Sequence, residues 1–503
     1  MTRPDHVVVV GGGIAGLTAA FRLSQSGADV TVVEPGPLGG KLQTSVFAGR
    51  PVDESADAFL LRVPWALALC HDLELDGELI SPAARSAQVF VDGQRRALPE
   101  GHVLGVPTDL DALARTGLVS AAGLARAAED LERPALPSDP GADGPDVAIG
   151  PYLRGRLGDE VVDHLIDPLV GGINAGDTAT LSLAAVVPQL DAAARSGDPS
   201  LLRSCLAQRE RALAAAAAQP GNPPIFATPI GGMARLVDAL LAFMPGVEVR
   251  QGRRATAVEL PGGPGPAARV VLDDGTVLGT DAVVVACPAH AAAPLLAAAA
   301  PEASAALAAI EHSSISMVTL AFAHGAVAPE PGVSGCLVPR DQGALVTAIS
   351  NATTKWAQLQ DPERDDVLLR VSAGRFGDDR HLDLDDDALT ERVLVDLDRI
   401  LGVREAPTEV RVGRWPRSFP PVRARPPRPH RRRRGRPRRR PDRPGRCRPA
   451  RRGRPRLHPH RRRGRRRPRR HLAQPPLPHA LTQPAAPGSP TAERRSGWAR
   501  LSG

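Results

Sequence analysis

The run HVVVV (His6–Val10) is apolar without interruption, and after three glycines the spacing of LTAAFRL becomes helical. A second apolar run, ADVTVVE, ends on Glu34. Continuous β-branched runs are what a strand buried on both faces requires, so the pattern predicts strand, turn, helix, strand over residues 6–34. Further along, GDEVVDHLIDPLVGG sets Val161, Val162, Leu165, Ile166 and Leu169 on one helical face that stops at Gly171-Gly172. Asp159, Glu160 and Asp163 lie mostly off that face and read as solvated surface, and His164 as a surface or packing histidine. ATPIGG before MARLVDALLAFM predicts a turn into an amphipathic helix. GVEVRQGRRATAVEL and ARVVLDDGTVLGTDAVVVACP read as short strands, with an Asp-Gly hairpin turn in LDDGTVL. From Val89 to Asn222 the text is helix-rich, broken by the loop ERPALPSDPGADGPD, and Ile315 to Val410 alternates as an antiparallel sheet would, in MVTLAFA and DVLLRVSAG. No repeat of solenoid period is present.

From Arg414 the pattern changes to RWPRSFPPVRARPPRPHRRRRGRPRRR. Residues 421–503 hold 29 Arg, no Lys and 2 acidic side chains, a net of +27, while the preceding 420 residues carry 34 basic and 53 acidic groups, a net of −19. The overall charge of +8 therefore describes the tail alone, and the body is acidic. With so few apolar residues the tail is expected to lack fixed structure. The five cysteines (Cys70, Cys205, Cys287, Cys336, Cys447) are scattered without a CxxC pair, which argues against a disulfide framework or a zinc site and for a reducing cytoplasm. No signal peptide and no apolar window long enough to span a bilayer is visible, while peripheral membrane contact stays open.

The richest chemistry lies in the first glycine turn. Gly11, Gly13 and Gly16 make G-x-G-x-x-G between a strand and a helix, and the loop Gly11, Gly12, Gly13, Ile14, Ala15, Gly16 would face the phosphates of a dinucleotide. Gly11 permits the tight turn, Gly13 lets backbone approach a pyrophosphate, and Gly16 allows helix and strand to pack closely. The helix N-terminus offers unpaired N–H groups to the phosphates, and Glu34 can accept the ribose hydroxyls of an adenosine. These features alone leave FAD and NAD both open. GPLGGKLQTS follows, with Gly39, Gly40, Lys41 and Thr44. It resembles the second glycine motif of two-domain FAD oxidoreductases, which implies FAD.

Four further segments, RPVDESADAFLLR, YLRGRLGDEVVDHLIDPLVGGINAGD, ATPIGGMARLVDALL and DAVVVACPAHAAAPLL, occur in that order. Together they resemble the bacterial oxygen-dependent protoporphyrinogen/coproporphyrinogen III oxidases, from about residue 6 to about 419. The resemblance implies an α/β fold: a Rossmann-like FAD-binding domain of the amine-oxidase type with a mixed α+β substrate domain. On that pattern the FAD-binding domain takes residues 1–85 and 223–300, the substrate domain a helix-rich part over 86–222 and a sheet over 301–412, and the tail 413–503. It places Ser55, Ala56, Asp57 and Ala58 along the flavin, although Ser55 stands where glycine is usual, and backbone near Ala255 against the adenine.

The implied reaction is removal of six electrons from a porphyrinogen, two at a time, with O₂ as acceptor and H₂O₂ as product. Such chemistry belongs to the flavin, so neither catalytic side chains nor metal ligands are expected. The substrate bears several propionates, and Arg62 is the cation the family pattern offers for one of them. Two other readings stay open. One is a different flavin oxidase such as an amine oxidase, which needs an aromatic cage in a chain whose only tyrosine is Tyr152. The other is a damaged chain, or a polyanion binder acting through its tail; no specific nucleic-acid partner is implied. In the family a Gly-rich C-terminal segment closes the FAD domain, and nothing from Pro421 onward matches it. The Arg, Pro, His, Gly and Ala found there have GC-rich codons, and the chain has only Lys41 and Lys355 as lysines. Such text arises when GC-rich DNA is read in a wrong frame, and the alternative is a genuine polybasic tail.

Overall fold

The computed structural model describes residues 5–61, 63–134, 139–140, 144–217, 224–262, 266–328, 330–361 and 363–424. At its centre is a parallel sheet of four strands, in the order Glu248–Gln251, β2 (Asp29–Glu34), β1 (His6–Val10), Ala282–Val285. The alternation within β1 explains its unbroken apolar text. Val7 and Val9 pack with Leu17, Ala20 and Phe21 of the helix α1 (Ile14–Gln25) and with Leu236 and Leu240. Val8 and Val10 face the other way, onto Ala255, Val258, Val270 and Leu272. Those last residues belong to an antiparallel trio, Ala255–Glu259, Ala268–Leu272 and Val277–Thr280, in which the predicted Asp-Gly turn joins the second and third strands.

A seven-stranded sheet forms the second layer, in the order Glu409–Phe419, Ser313–Phe322, Val367–Ala373, Val346–Asn351, Val333–Leu337, Ser86–Val91, Gln94–Ala97. Its pairings are antiparallel except that of Val333–Leu337 with Ser86–Val91. The hairpin Ser86–Ala97 thus extends this sheet, although its sequence lies inside the stretch read as helix-rich. The helices proper gather around a separate core containing Leu113, Ile149, Leu153, Leu165 and Leu190.

Two further expectations are corrected. The face running through Leu165 and Ile166 lies on a wider π-helix, Val162–Gly171, rather than on an α-helix. Pro168 sits inside it, where a residue without an N–H interrupts the ordinary helical ladder. The strand Glu409–Phe419 also runs past residue 413, where the sequence pattern starts the tail. Val412 pairs with Val318, Trp415 with Ile315 and Phe419 with Ser313, so ladder pairing prevails over the local run of arginines. The chain stays engaged up to Ala424: Ser182 N–H donates to the Val422 carbonyl (2.8 Å) and Ala424 N–H to that of Thr180 (3.0 Å). Residues 425–503, on which the expectation of an unstructured tail falls, lie outside the described residues.

Candidate active site

The glycine loop is locked by backbone contacts that admit no side chain at two positions. Gly11 has φ +113°, and a Cβ there would stand 2.9 Å from the Ala286 carbonyl carbon. At Gly16 a Cβ would come within 1.8 Å of the Gly11 carbonyl oxygen, so α1 leaves the strand at contact distance. Gly13 differs: its backbone is extended (φ −72°, ψ 175°) and a Cβ would meet nothing within 4 Å. Gly13 is also the N-cap of α1 and gives it no side-chain cap, and the first turn holds no acid. The first N–H groups of that turn are therefore left for an anion from outside. Of the residues between, Ile14 is half-buried on the α1 core and Ala15 is exposed.

The second glycine turn packs on the first. Gly39 N–H donates to the Gly12 carbonyl (2.8 Å), and a Cβ on Gly40 would lie 3.2 Å from the Gly13 Cα. The Glu34 carboxylate, at the end of β2, accepts the N–H groups of Gly12 (2.7 Å) and Gly36 (2.8 Å), which fixes its position beside the loop. Thr44, at the head of β3 (Thr44–Phe47), donates to Asp53 (2.5 Å) of β4 (Arg50–Asp53) and accepts the Ala234 N–H (3.1 Å). Asp53 also accepts the Met233 N–H (2.8 Å). Thr44 is thus a clamp on the ATPIGG turn.

Two cavities border these elements. One, of about 550 Å³, is bordered by Gly11, Glu34, Arg254, Ala255, His290 and Arg417. His290 Nδ1 there is buried without a hydrogen-bond partner, and burial, then the Arg417 charge, holds its pKa below the usual histidine value. The other cavity, of about 350 Å³, is bordered by Lys41, Ser55, Ala56, Met317, Arg375 and Trp415. Of the residues singled out from sequence, Gly11, Glu34 and Ala255 therefore meet at one cavity, and Lys41, Ser55 and Ala56 at the other. Arg62 lies outside the described residues. Met317, Arg375 and Trp415 were missed. Each sits on or just after a strand whose alternation spoke only of a sheet, and an arginine straight after a strand-ending glycine was the one available signal.

Asp57 and Ala58 line neither cavity. Ala58 packs against the small core around Phe47, Val52 and Trp356. Asp57 receives Lys355 Nζ (2.8 Å), Arg370 Nη1 (3.0 Å) and Trp356 Nε1 (3.2 Å). Burial alone would raise its pKa, but the two cations and their hydrogen bonds outweigh it and bring it to about 2. The 54–58 loop is thereby pinned to the seven-stranded sheet by charge. Asp57→Asn should cost about 3 kcal/mol at neutral pH, because Arg370 is buried and would lose its counter-charge. With the folded pKa below the unfolded one, that contribution is present above about pH 4 and disappears as the pH falls toward about 2. Thermal melts of parent and variant should therefore converge across that window, and a constant difference would remove Asp57 from this role.

Asp159 and Asp163 pair with Arg154, and Glu160 Oε2 accepts the N–H of Ser120 (2.6 Å), the N-cap of the earlier helix Ala121–Ala128. His164 bridges the Leu118 carbonyl (2.6 Å) and Asp341 (3.0 Å). Burial pushes the thiols of Cys205 and Cys336 up to about 12 and that of Cys70 to about 11, so none offers a thiolate near neutrality. Tyr152 is buried in the helical core. Among the described residues no cluster suited to a metal occurs and no helix is long and apolar enough to cross a membrane.

Comparison with known proteins places the chain in a family. Residues 14–457 match the family described as flavin containing amine oxidoreductase. The coproporphyrinogen III oxidase of Bacillus subtilis is 32% identical over 428 residues, covering 82% of this chain and 87% of that protein. That of Mycobacterium bovis is 36% identical over 431 residues, covering 83% and 87%. A solved structure from Exiguobacterium sp. 255-15, assigned as a protoporphyrinogen oxidase, superposes with a TM-score of 0.72 at 28% identity, covering 84% of this chain and 89% of that one. A glycine cradle with an open helix N-terminus, a carboxylate fixed beside it and a second cavity against a large sheet suit a bound flavin, and the chain belongs to the flavin-containing amine oxidoreductase family.

Proposed function

We propose that this chain oxidises coproporphyrinogen III to coproporphyrin III in haem biosynthesis, with FAD as cofactor and O₂ as acceptor, in the cytoplasm. The residues present fit FAD. Gly11 to Gly16 and the N-terminus of α1 would hold the pyrophosphate, Glu34 the ribose, Ala255 and its neighbours the adenine, and Lys41, Ser55 and Ala56 the ring end. The bound flavin supplies two-electron oxidation; three rounds convert the porphyrinogen and three O₂ into the porphyrin and three H₂O₂. What the chain adds is position and dryness. Met317, Ile315 and Phe419 give the second cavity an apolar wall, and its lining holds no acid, histidine or cysteine among the described residues. A lining without carboxylate, imidazole or thiol among the described residues suits a reaction whose chemistry the cofactor carries.

One observation carries the reading: the dinucleotide cradle leads to a cation-bearing cavity in a chain aligned over 82–83% of its length with proteins named coproporphyrinogen III oxidase. Tyr152, the only tyrosine, stands in the helical core and leaves the cavity without the tyrosine an aromatic amine cage would use. Added to the FAD-supplied chain, coproporphyrinogen III should give rising porphyrin fluorescence with three O₂ consumed per porphyrin, and protoporphyrinogen IX a slower rise. Fluorescence no faster than spontaneous oxidation in air would refute the assignment.

A further inference from the structure

The strand Val367–Ala373 ends on a turn that only glycine can make. Gly374 has φ +95°, and a Cβ there would fall 2.2 Å from His381 Nε2 and 2.6 Å from the Ser314 carbonyl oxygen. The turn closes at once, since Asp378 N–H donates to the Arg375 carbonyl (2.9 Å). Arg375 is thereby delivered into the wall of the 350 Å³ cavity with only 7% of its surface exposed.

Its guanidinium has almost nothing to bind. The one hydrogen bond is a long contact to the Val338 carbonyl (3.5 Å), Nε is buried without a partner, and no carboxylate lies within ion-pair distance among the described residues. The other buried arginines are neutralised: Arg50 by Asp366 (2.7 Å), Arg370 by Asp57 (3.0 Å) and Arg156 by Asp130 (3.4 Å) and Asp139. The acid nearest to serving Arg375, Asp167, is already engaged by Arg340 Nε (3.1 Å), whose remaining nitrogens bind the carbonyls of Gly176 (2.7 Å) and Phe376 (3.1 Å). Burial, followed by the Arg340 charge, lowers the Arg375 pKa to about 10, which still leaves it cationic at neutral pH. A cavity lined by Lys41 and Arg375 and by no acid, with one guanidinium fork unpaired, is complementary to an anion. A planar carboxylate matches that fork in two parallel hydrogen bonds.

We propose that Arg375 binds a propionate of the porphyrinogen and so sets which edge of the macrocycle enters the cavity. The proposal rests on the porphyrinogen-oxidase reading above. It makes Arg375 a substrate-binding residue, and the carboxylate is the completing partner of a cation that the fold leaves bare.

The test uses the full chain supplied with FAD and titrates coproporphyrin III, and separately its tetramethyl ester, by fluorescence quenching. Arg375→Gln should weaken binding of the free acid on the order of ten- to a hundredfold. It should leave the ester and the flavin absorbance unchanged, while Arg375→Lys keeps part of the preference for the acid. With turnover, the same acid-specific loss should appear in KM rather than kcat. Equal weakening of acid and ester, or no weakening, overturns the proposal, because a structural arginine would not distinguish them. Loss of flavin in both variants overturns it as well and moves Arg375 to the cofactor. If the parent fails to turn over coproporphyrinogen yet binds the acid through Arg375, the assigned reaction falls and the carboxylate site stands.

Discussion

Gly13→Val is expected to yield a folded protein that has lost its flavin. The position tolerates a side chain in the chain itself: its backbone is extended, and an added Cβ meets no atom within 4 Å. The space it would enter lies at the uncapped N-terminus of α1, on the loop that Gly40 packs against. A branched side chain there would occupy the place proposed for the pyrophosphate and cover the free N–H groups. Loss of about a hundredfold in FAD affinity, about 3 kcal/mol, is the expected scale. The apo forms of parent and variant should melt alike, while only the parent turns yellow with added FAD. Gly16→Ala provides the contrast. Its Cβ would sit 1.8 Å from the Gly11 carbonyl oxygen, so strand and helix must part, and about 1–3 kcal/mol of stability goes with them. A Gly13→Val protein as yellow as its parent would show that this loop does not hold the phosphates.

That difference between two glycines of one motif indicates what the sequence could and could not disclose. HVVVV and ADVTVVE were legible because a strand buried on both faces needs a continuous apolar run, and β1 does send alternate valines into two cores. Glu34 was legible because its place at the strand end follows from counting along the motif. Local text said little about the second cavity, whose wall joins Lys41 and Ser55 to residues some three hundred positions later. The apolar alternation of MVTLAFA records that Met317 is in a strand, not which ligand it faces. Asp57 shows the same limit from the other side. Its motif suggested a cofactor contact, whereas Lys355, Trp356 and Arg370, distant in sequence, draw its carboxylate into the sheet. The π-helix was hidden because Pro168 leaves the apolar spacing of its segment nearly unchanged.

Restoring the reading frame near codon 420 is expected to raise flavin content and oxidase activity, and the parallel sheet gives the physical reason. Ala282–Val285 pairs with β1 on one side and has no strand on the other among the described residues. Its four residues are all half-buried, although AVVV is text for a strand covered on both faces. An uncovered edge of this kind calls for another strand or for cover. Residues 421–503 supply neither pattern, because 29 arginines and frequent prolines leave no apolar run to pair there. The expectation of out-of-frame text therefore predicts that the chain as written holds less than one flavin per molecule. A frame-corrected gene should encode a Gly-rich segment, and its product should bind one flavin and melt higher. A genuine polybasic tail predicts otherwise: truncation after Ala424 would leave flavin and turnover intact and abolish a salt-sensitive affinity for polyanions. DNA sequencing through codons 410–430, with the flavin-to-protein absorbance ratio of the written chain, decides between them. The written frame confirmed, with one flavin per chain and full turnover, would end the frameshift reading and make the basic segment part of the working protein.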